Sequence, residues 1–176
     1  EVKAKTLDEY LLDFVTIHEF VHGYFYGLLA SNEFEEPMLD EGLNEYWDDR
    51  MLRDRGQKVY LTKPLWQFFG AEPPLDPFML EHMFARLRHP SDPLGENAWD
   101  RLSSADYGTV YSRTATAMHD LEERLGKDVT EKAFRQYYAT WHFRHPGLGD
   151  LQATLSEVSG KPEVVAQVFD QYVYGT

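Results

Sequence analysis

Apolar residues at Leu7, Leu11, Phe14, Val15, Phe20, Val21, Phe25 and Leu28 recur at roughly helical spacing behind Thr6-Leu7-Asp8-Glu9, which has the form of a capping box. The pattern predicts a long first helix. An acidic, polar loop follows from Ser31 to Pro37, and helical periodicity resumes from Leu39 to Arg55, ending near Gly56. Val59-Tyr60-Leu61 is the one weak strand-like run. Pro64 to Pro77 holds four prolines and a glycine among aromatics and reads as a connector, with room for a short helix at Leu65 to Phe69. Asp76-Pro77 pairs an N-cap with a proline in the first turn and opens a helix to about Leu87. After a loop from His89 to Asp100, helices are expected at Tyr107 to Leu125, Val129 to Trp141, Leu148 to Val158 and Glu163 to Tyr172, the first and third stopped by Gly126 and Gly160. No internal repeat or low-complexity tract divides the chain. The expectation is a mainly α architecture with residues 1–176 in a single domain.

Composition narrows the class of function more than the fold. With 43% hydrophobic residues in 176, the chain suits a soluble globular segment with a real core. The longest apolar stretch, Phe20 to Leu29, is interrupted by His22 and Gly23 and is too short to span a bilayer, so no membrane insertion of this segment is expected. A formal charge of -13 opposes nucleic-acid binding, which needs clustered Lys and Arg. With no cysteine, any metal must be held by histidine and carboxylate, and cytoplasm and periplasm remain equally compatible. The opening Glu1-Val2-Lys3-Ala4-Lys5 has neither a start methionine nor a leader, so the chain reads as a piece of a longer parent.

Candidate chemistry enters within the first helix. His18-Glu19-Phe20-Val21-His22 spells H-E-x-x-H. Residues four apart share a helix face, so His18 and His22 can each offer a nitrogen to one zinc ion, while Glu19 projects beside them to act as base toward a metal-bound water. The competing reading is a helix whose two histidines cap a polar strip, satisfied by water or by neighbouring carboxylates. A catalytic zinc takes three protein ligands, and the third separates the classes. A metzincin would need glycine at position 25 and histidine at 28, where this chain has Phe25 and Leu28. A glutamate from a second helix is the alternative. Glu41 stands eighteen residues beyond His22, although with 30 acids in 176 residues the spacing alone persuades little.

Together, the pentapeptide, the eighteen-residue gap and Asp40-Glu41-Gly42-Leu43-Asn44-Glu45-Tyr46 resemble the gluzincin catalytic domain of the aminopeptidase N family, which includes the leukotriene hydrolase. A thermolysin-type spacing would put the glutamate one residue later, at Gly42. The likeness continues through Val110-Tyr111-Ser112-Arg113, similar to the family's Y-E-K-G segment. It then runs through Trp141 to Pro146, Glu157 to Lys161 and Phe169 to Gly175, and is weaker between Lys58 and Ser104. The resemblance implies the helical part of a thermolysin-like catalytic domain, with His18, His22 and Glu41 as zinc ligands, Glu19 as general base and Tyr111 as the phenol that hydrogen-bonds the oxyanion. A positioned donor of that kind is worth roughly 10² to 10³ in rate.

The chain also departs from the family. It contains no G-x-M-E-N segment, through which the family reads a substrate's free amino terminus, and Arg113 and Thr114 stand where lysine and glycine usually follow the tyrosine. The upstream sheet is therefore expected to belong to the missing N-terminal part of the parent domain. Asp48, two turns after Glu41, is either a hydrogen-bond acceptor for a ligating histidine or a solvated acid, and Glu45 has the same two readings. His82, His89, His119, His142 and His145 share no metal-ligand spacing and read as surface or packing residues. The leading expectation is a zinc metallopeptidase of aminopeptidase type acting on peptide substrates. The runner-up is a metallopeptidase-like module that holds zinc or peptide without turnover, and a purely structural helical scaffold comes last.

Overall fold

The computed structural model describes residues 5–61, 73–88, 92–100 and 107–175. Thr6 caps helix α1 (Leu7–Phe25) through the reciprocal contacts of a capping box: the Glu9 amide donates to Thr6 Oγ1 at 3.3 Å, and the Thr6 amide donates to the Glu9 carboxylate at 3.0 Å. Its buried stripe is Tyr10, Phe14, His18, Val21 and Phe25. Leu12, Val15 and Phe20 turn away from that stripe and are exposed. The helix is thus apolar on two sides, with one facing outward.

A 3-10 turn at Pro37–Leu39 leads into α2 (Glu41–Asp54), so the predicted second helix begins with a tighter turn before its α-helical body. Asp40 occupies the N-cap position without capping, because its carboxylate is engaged elsewhere. Helix α2 is buried almost all round although much of it is polar: Asn44, Glu45, Asp48, Asp49 and Arg50 lie inside alongside Leu43, Tyr46 and Leu52. Such a helix is stable only where neighbours answer its polar groups.

Helix α3 (Pro77–Arg88) starts where Asp76–Pro77 predicts, with the Phe78 amide donating to Asp76 Oδ1 at 3.1 Å. Helix α4 (Tyr107–Leu125) lies along α2, and Gly42 is where the two approach: a Cβ on Gly42 would come within 2.5 Å of Thr114 Oγ1. That close approach sets Tyr111, one turn before Thr114, beside the start of α2. Helices α5 (Lys127–Trp141) and α6 (Leu148–Ser159) pack on one another, and Gly160 ends α6 in a left-handed conformation at φ 63°. The last expected helix is divided into α7 (Pro162–Val168) and a π-helical turn, Phe169–Tyr174, whose widened backbone offers the Tyr172 and Val173 carbonyls to the Leu94 and Gly95 amides.

The strand-like run forms β2 (Val59–Tyr60), paired in parallel with β1 (Lys5–Thr6). The short helix expected at Leu65 to Phe69 and the histidine at position 89 lie outside the described residues. Val21, Phe25, Leu43, Tyr46, Val110, Met118, Phe134 and Leu155 belong to the main core, which includes α1, α2, α4, α5 and α6; Tyr10, Phe14, Leu52, Val59 and Leu80 form a second cluster. The architecture is mainly α, and among the described residues no helix is long and apolar enough to cross a membrane.

Candidate metal centre

His18 and His22 project from α1 toward the first turn of α2, with ring centroids 4.7 Å apart and planes nearly perpendicular. His18 Nε2 lies 3.1 Å from Glu41 Oε2, and His22 Nε2 lies 3.4 Å from the same oxygen. A tetrahedral zinc at about 2.0–2.1 Å from each ligand separates neighbouring ligand atoms by about 3.3–3.4 Å, so both spacings suit a shared ion. The far nitrogen of each ring meets its own carboxylate: His18 Nδ1 is 2.8 Å from Asp48 Oδ2, and His22 Nδ1 is 2.7 Å from Asp40 Oδ1. Those bonds require the proton on Nδ1, which turns both Nε2 lone pairs toward Glu41.

Two lone pairs and a carboxylate oxygen facing one another repel unless a cation lies among them. Without a metal, a proton takes that role. Burial pushes the His18 ring toward neutrality, but hydrogen bonds and charges from Asp48 and Glu41 outweigh it and lift its pKa to about 9. Glu41 is held below the usual carboxylate range: burial acts upward, and hydrogen bonds from His18 and Tyr111 overcome it. Burial raises Asp40 to about 6 against the pull of His22, and it likewise raises Asp48. Glu45, 3.7 Å from His18 Nδ1, is pushed well upward by burial and by Glu81, Asp49 and Asp48. Asp40, Glu41, Glu45 and Asp48 meet no lysine or arginine among the described residues, so the pocket is an acidic trap with donor atoms suited to zinc.

Glu19 is exposed on the side of α1 next to the two histidines and makes no hydrogen bond or ion pair among the described residues. The Tyr111 ring lies 5.7 Å from the His18 ring, and its hydroxyl donates to Glu41. His18, His22, Glu41 and Tyr111 therefore come together between α1 and α2, and Glu19 follows His18 on the exposed side of α1. Asp48, for which the sequence left two readings, is buried on His18 and not solvated. Sequence reasoning missed Asp40, whose only signal was an acid immediately before the candidate third ligand. It also missed Asn44, whose side-chain amide donates to the His18 carbonyl at 3.3 Å and ties the two helices together.

A second cluster, His119 with Glu122 and Glu123, also brings potential ligand atoms together. Glu122 is already claimed there by Arg53 at 2.7 Å, by the Tyr46 hydroxyl at 2.7 Å and by Arg50 at 3.1 Å, while His119 stacks on Phe78. The packing reading of His119 fits that arrangement.

No protein-family model matches the chain. Among curated proteins it is 24% identical to an aminopeptidase A of Gloydius brevicauda and 23% identical to a glutamyl aminopeptidase of Bitis rhinoceros. Each alignment takes in 90% of this chain and 16% of the relative. Among solved structures, an M1 zinc metallopeptidase from Deinococcus radiodurans superposes with a TM-score of 0.70 at 20% identity, over 93% of this chain and 33% of that one. A variant of the same protein bound to a Tyr-Ser-Ala substrate agrees equally well, with a TM-score of 0.70. The chain thus spans about a sixth of the curated relatives and a third of the solved one. Its fold is mainly α and matches part of the solved M1 zinc metallopeptidase, and in sequence it resembles, at low identity and over part of their length, the two aminopeptidases.

Proposed function

We propose that the chain carries the metal-binding and catalytic residues of a zinc-dependent metallopeptidase of aminopeptidase type. The observation that carries this reading is the convergence of His18 Nε2 and His22 Nε2 on one oxygen of Glu41, at 3.1 and 3.4 Å, with each ring backed by its own carboxylate. His18, His22 and Glu41 would hold the ion, which supplies a Lewis acid for the peptide carbonyl and lowers the pKa of the attacking water. Asp48 and Asp40 fix the tautomer and angle of the two rings. Glu19, free of other partners among the described residues, takes a proton from the attacking water and returns it to the leaving amine. Tyr111 exchanges its hydrogen bond to Glu41 for one to the carbonyl oxygen as negative charge develops there.

The relatives are several times longer than this chain, and the chain has no G-x-M-E-N segment of its own. The outward face of α1, where Leu12 is 71% and Phe20 73% exposed, is suited to packing against the N-terminal part of the catalytic domain, which would bring the amine-recognising group. Assays of the parent protein on aminoacyl amides and on N-blocked peptides test the reading. Hydrolysis confined to free-amino substrates supports an aminopeptidase. Zinc binding with no hydrolysis of either substrate would favour a binding module without turnover.

A further inference from the structure

Beyond the C-terminal end of α1 lies a groove of about 1060 Å³ whose lining includes Tyr26, Glu33, Phe34, Glu35, Trp99 and His145. Three aromatic rings face solvent there, with Tyr26 52%, Phe34 64% and Trp99 60% exposed. Large aromatic side chains gathered around one concavity mark a binding surface more often than isolated exposed ones do. Glu33 and Glu35 share the groove with them. Among the described residues no lysine or arginine lines it, and neither glutamate has a basic partner. The carbonyl end of a nineteen-residue helix adds partial negative charge on the same side, since Tyr26 is the C-cap of α1.

The walls are tied together from several parts of the chain. The Ala98 amide donates to the Phe34 carbonyl at 2.9 Å, which fastens the segment bearing Trp99 to the loop bearing the glutamates. The His145 amide donates to the Leu29 carbonyl at 3.2 Å, and its ring Nδ1 lies 2.8 Å from the Ala30 carbonyl oxygen. The Leu148 amide is held by the Glu36 carboxylate at 3.2 Å. The concavity is therefore preformed.

We propose that this groove receives the cationic side chain, lysine or arginine, of a peptide whose backbone lies at the candidate metal centre. Aromatic faces and unpaired carboxylates together attract an ammonium or guanidinium group and give no comparable reward to a neutral side chain of the same shape. The groove lies along the same helix as that centre: Tyr26, the C-cap of α1, follows His22 by one helical turn. The net charge of -13 favours approach of such a peptide over long range. This inference rests on the peptidase reading for the position of the backbone, but binding of the cation needs no turnover.

The test uses the zinc-loaded full chain carrying Glu19→Gln, so that peptide is not consumed. It measures by fluorescence anisotropy the affinity for a labelled tetrapeptide containing arginine and for the same peptide containing citrulline, which keeps the shape and lacks the charge. The expected result is about a tenfold preference for arginine. The ratio should fall toward one in the Glu33→Gln, Glu35→Gln double variant, and Trp99→Ala should weaken arginine-peptide binding about three- to thirtyfold. Both glutamines keep the side-chain size, and helix content by circular dichroism verifies the fold. Equal affinity for the two peptides, or an arginine preference that survives the double variant, overturns the proposal. Zinc content measured on the same samples separates the two claims. An arginine preference without stoichiometric zinc keeps the groove and removes the metallopeptidase, whereas stoichiometric zinc without an arginine preference does the reverse.

Discussion

The two ends of α2 bury charge in opposite ways. Toward its C-terminus Arg50, only 1% exposed, is answered by Glu122 at 3.1 Å and Glu131 at 2.9 Å, and Arg53 reaches Glu122 at 2.7 Å. Toward its N-terminus Asp40, Glu41, Glu45 and Asp48 face two histidines and no permanent cation among the described residues. One end is electrically complete from its own side chains. The other is complete only with a proton or a metal, and that incompleteness distinguishes a site from a structural ion network on the same helix.

Breaking the completed end should have the largest effect. Arg50→Met removes the buried guanidinium that Glu122 shares with Arg53 and that the partly exposed Glu131 also faces, and should cost about 3 kcal/mol of unfolding free energy, measured by chemical denaturation. Zinc affinity should persist in whatever fraction remains folded. At the other end, Tyr111→Phe keeps the ring beside His18 and deletes only the hydroxyl. In the active parent it should lower kcat by roughly 10² to 10³ with zinc affinity retained, so a loss confined to KM would contradict the assigned role.

A smaller change is expected from the carboxylates behind the rings. Asp48→Asn keeps an acceptor for His18 Nδ1 but removes its charge, and chelator competition should show zinc affinity about 10- to 100-fold weaker. The smallest effect concerns Asp49, whose neighbour across the interface is Tyr10 at 3.2 Å. Burial, with Glu81 next, pushes the Asp49 carboxyl well above its ordinary value. A raised folded pKa means that the folded state holds the proton longer than the unfolded state. Stability therefore falls as pH rises from the ordinary carboxylate range through the raised value. Asp49→Asn should flatten that slope and raise Tm at pH 8 by a few degrees. An unchanged pH profile would show that the acidic end of α2 is relieved in another way.

Much of this contrast could be read in the sequence, for identifiable reasons. The bounds of α4 agree with prediction, and those of α3, α5 and α6 differ from it by only one or two residues. They are set by local signals, such as the Asp76–Pro77 start and the Gly126 and Gly160 stops. The H-E-x-x-H helix was legible because a four-residue spacing is itself a statement about geometry. Helix α2 was legible as a helix, but not its burial. Several of its charges are buried, and only the distant Glu122, Glu131 and His18 show why they can be. Asp40 was missed because an acid at an N-cap ordinarily caps, whereas here it reaches back to His22. The π-helical turn after Val168 depends on a five-residue hydrogen-bond register that composition does not encode. Exposure of Phe20 and Leu12 could not be foreseen, since a helix pattern marks apolar positions and not what covers them.

The most direct test of the account is zinc stoichiometry on the purified chain, by elemental analysis with X-ray absorption at the zinc edge, for the native sequence and for His18→Ala, His22→Ala and Glu41→Ala. The account predicts about one zinc per chain, bound by two imidazole nitrogens and carboxylate oxygen at about 2.0–2.2 Å, with each substitution weakening binding more than the 10- to 100-fold expected for Asp48→Asn. Full zinc affinity in any of the three variants, or no stoichiometric zinc in the native chain, would contradict it.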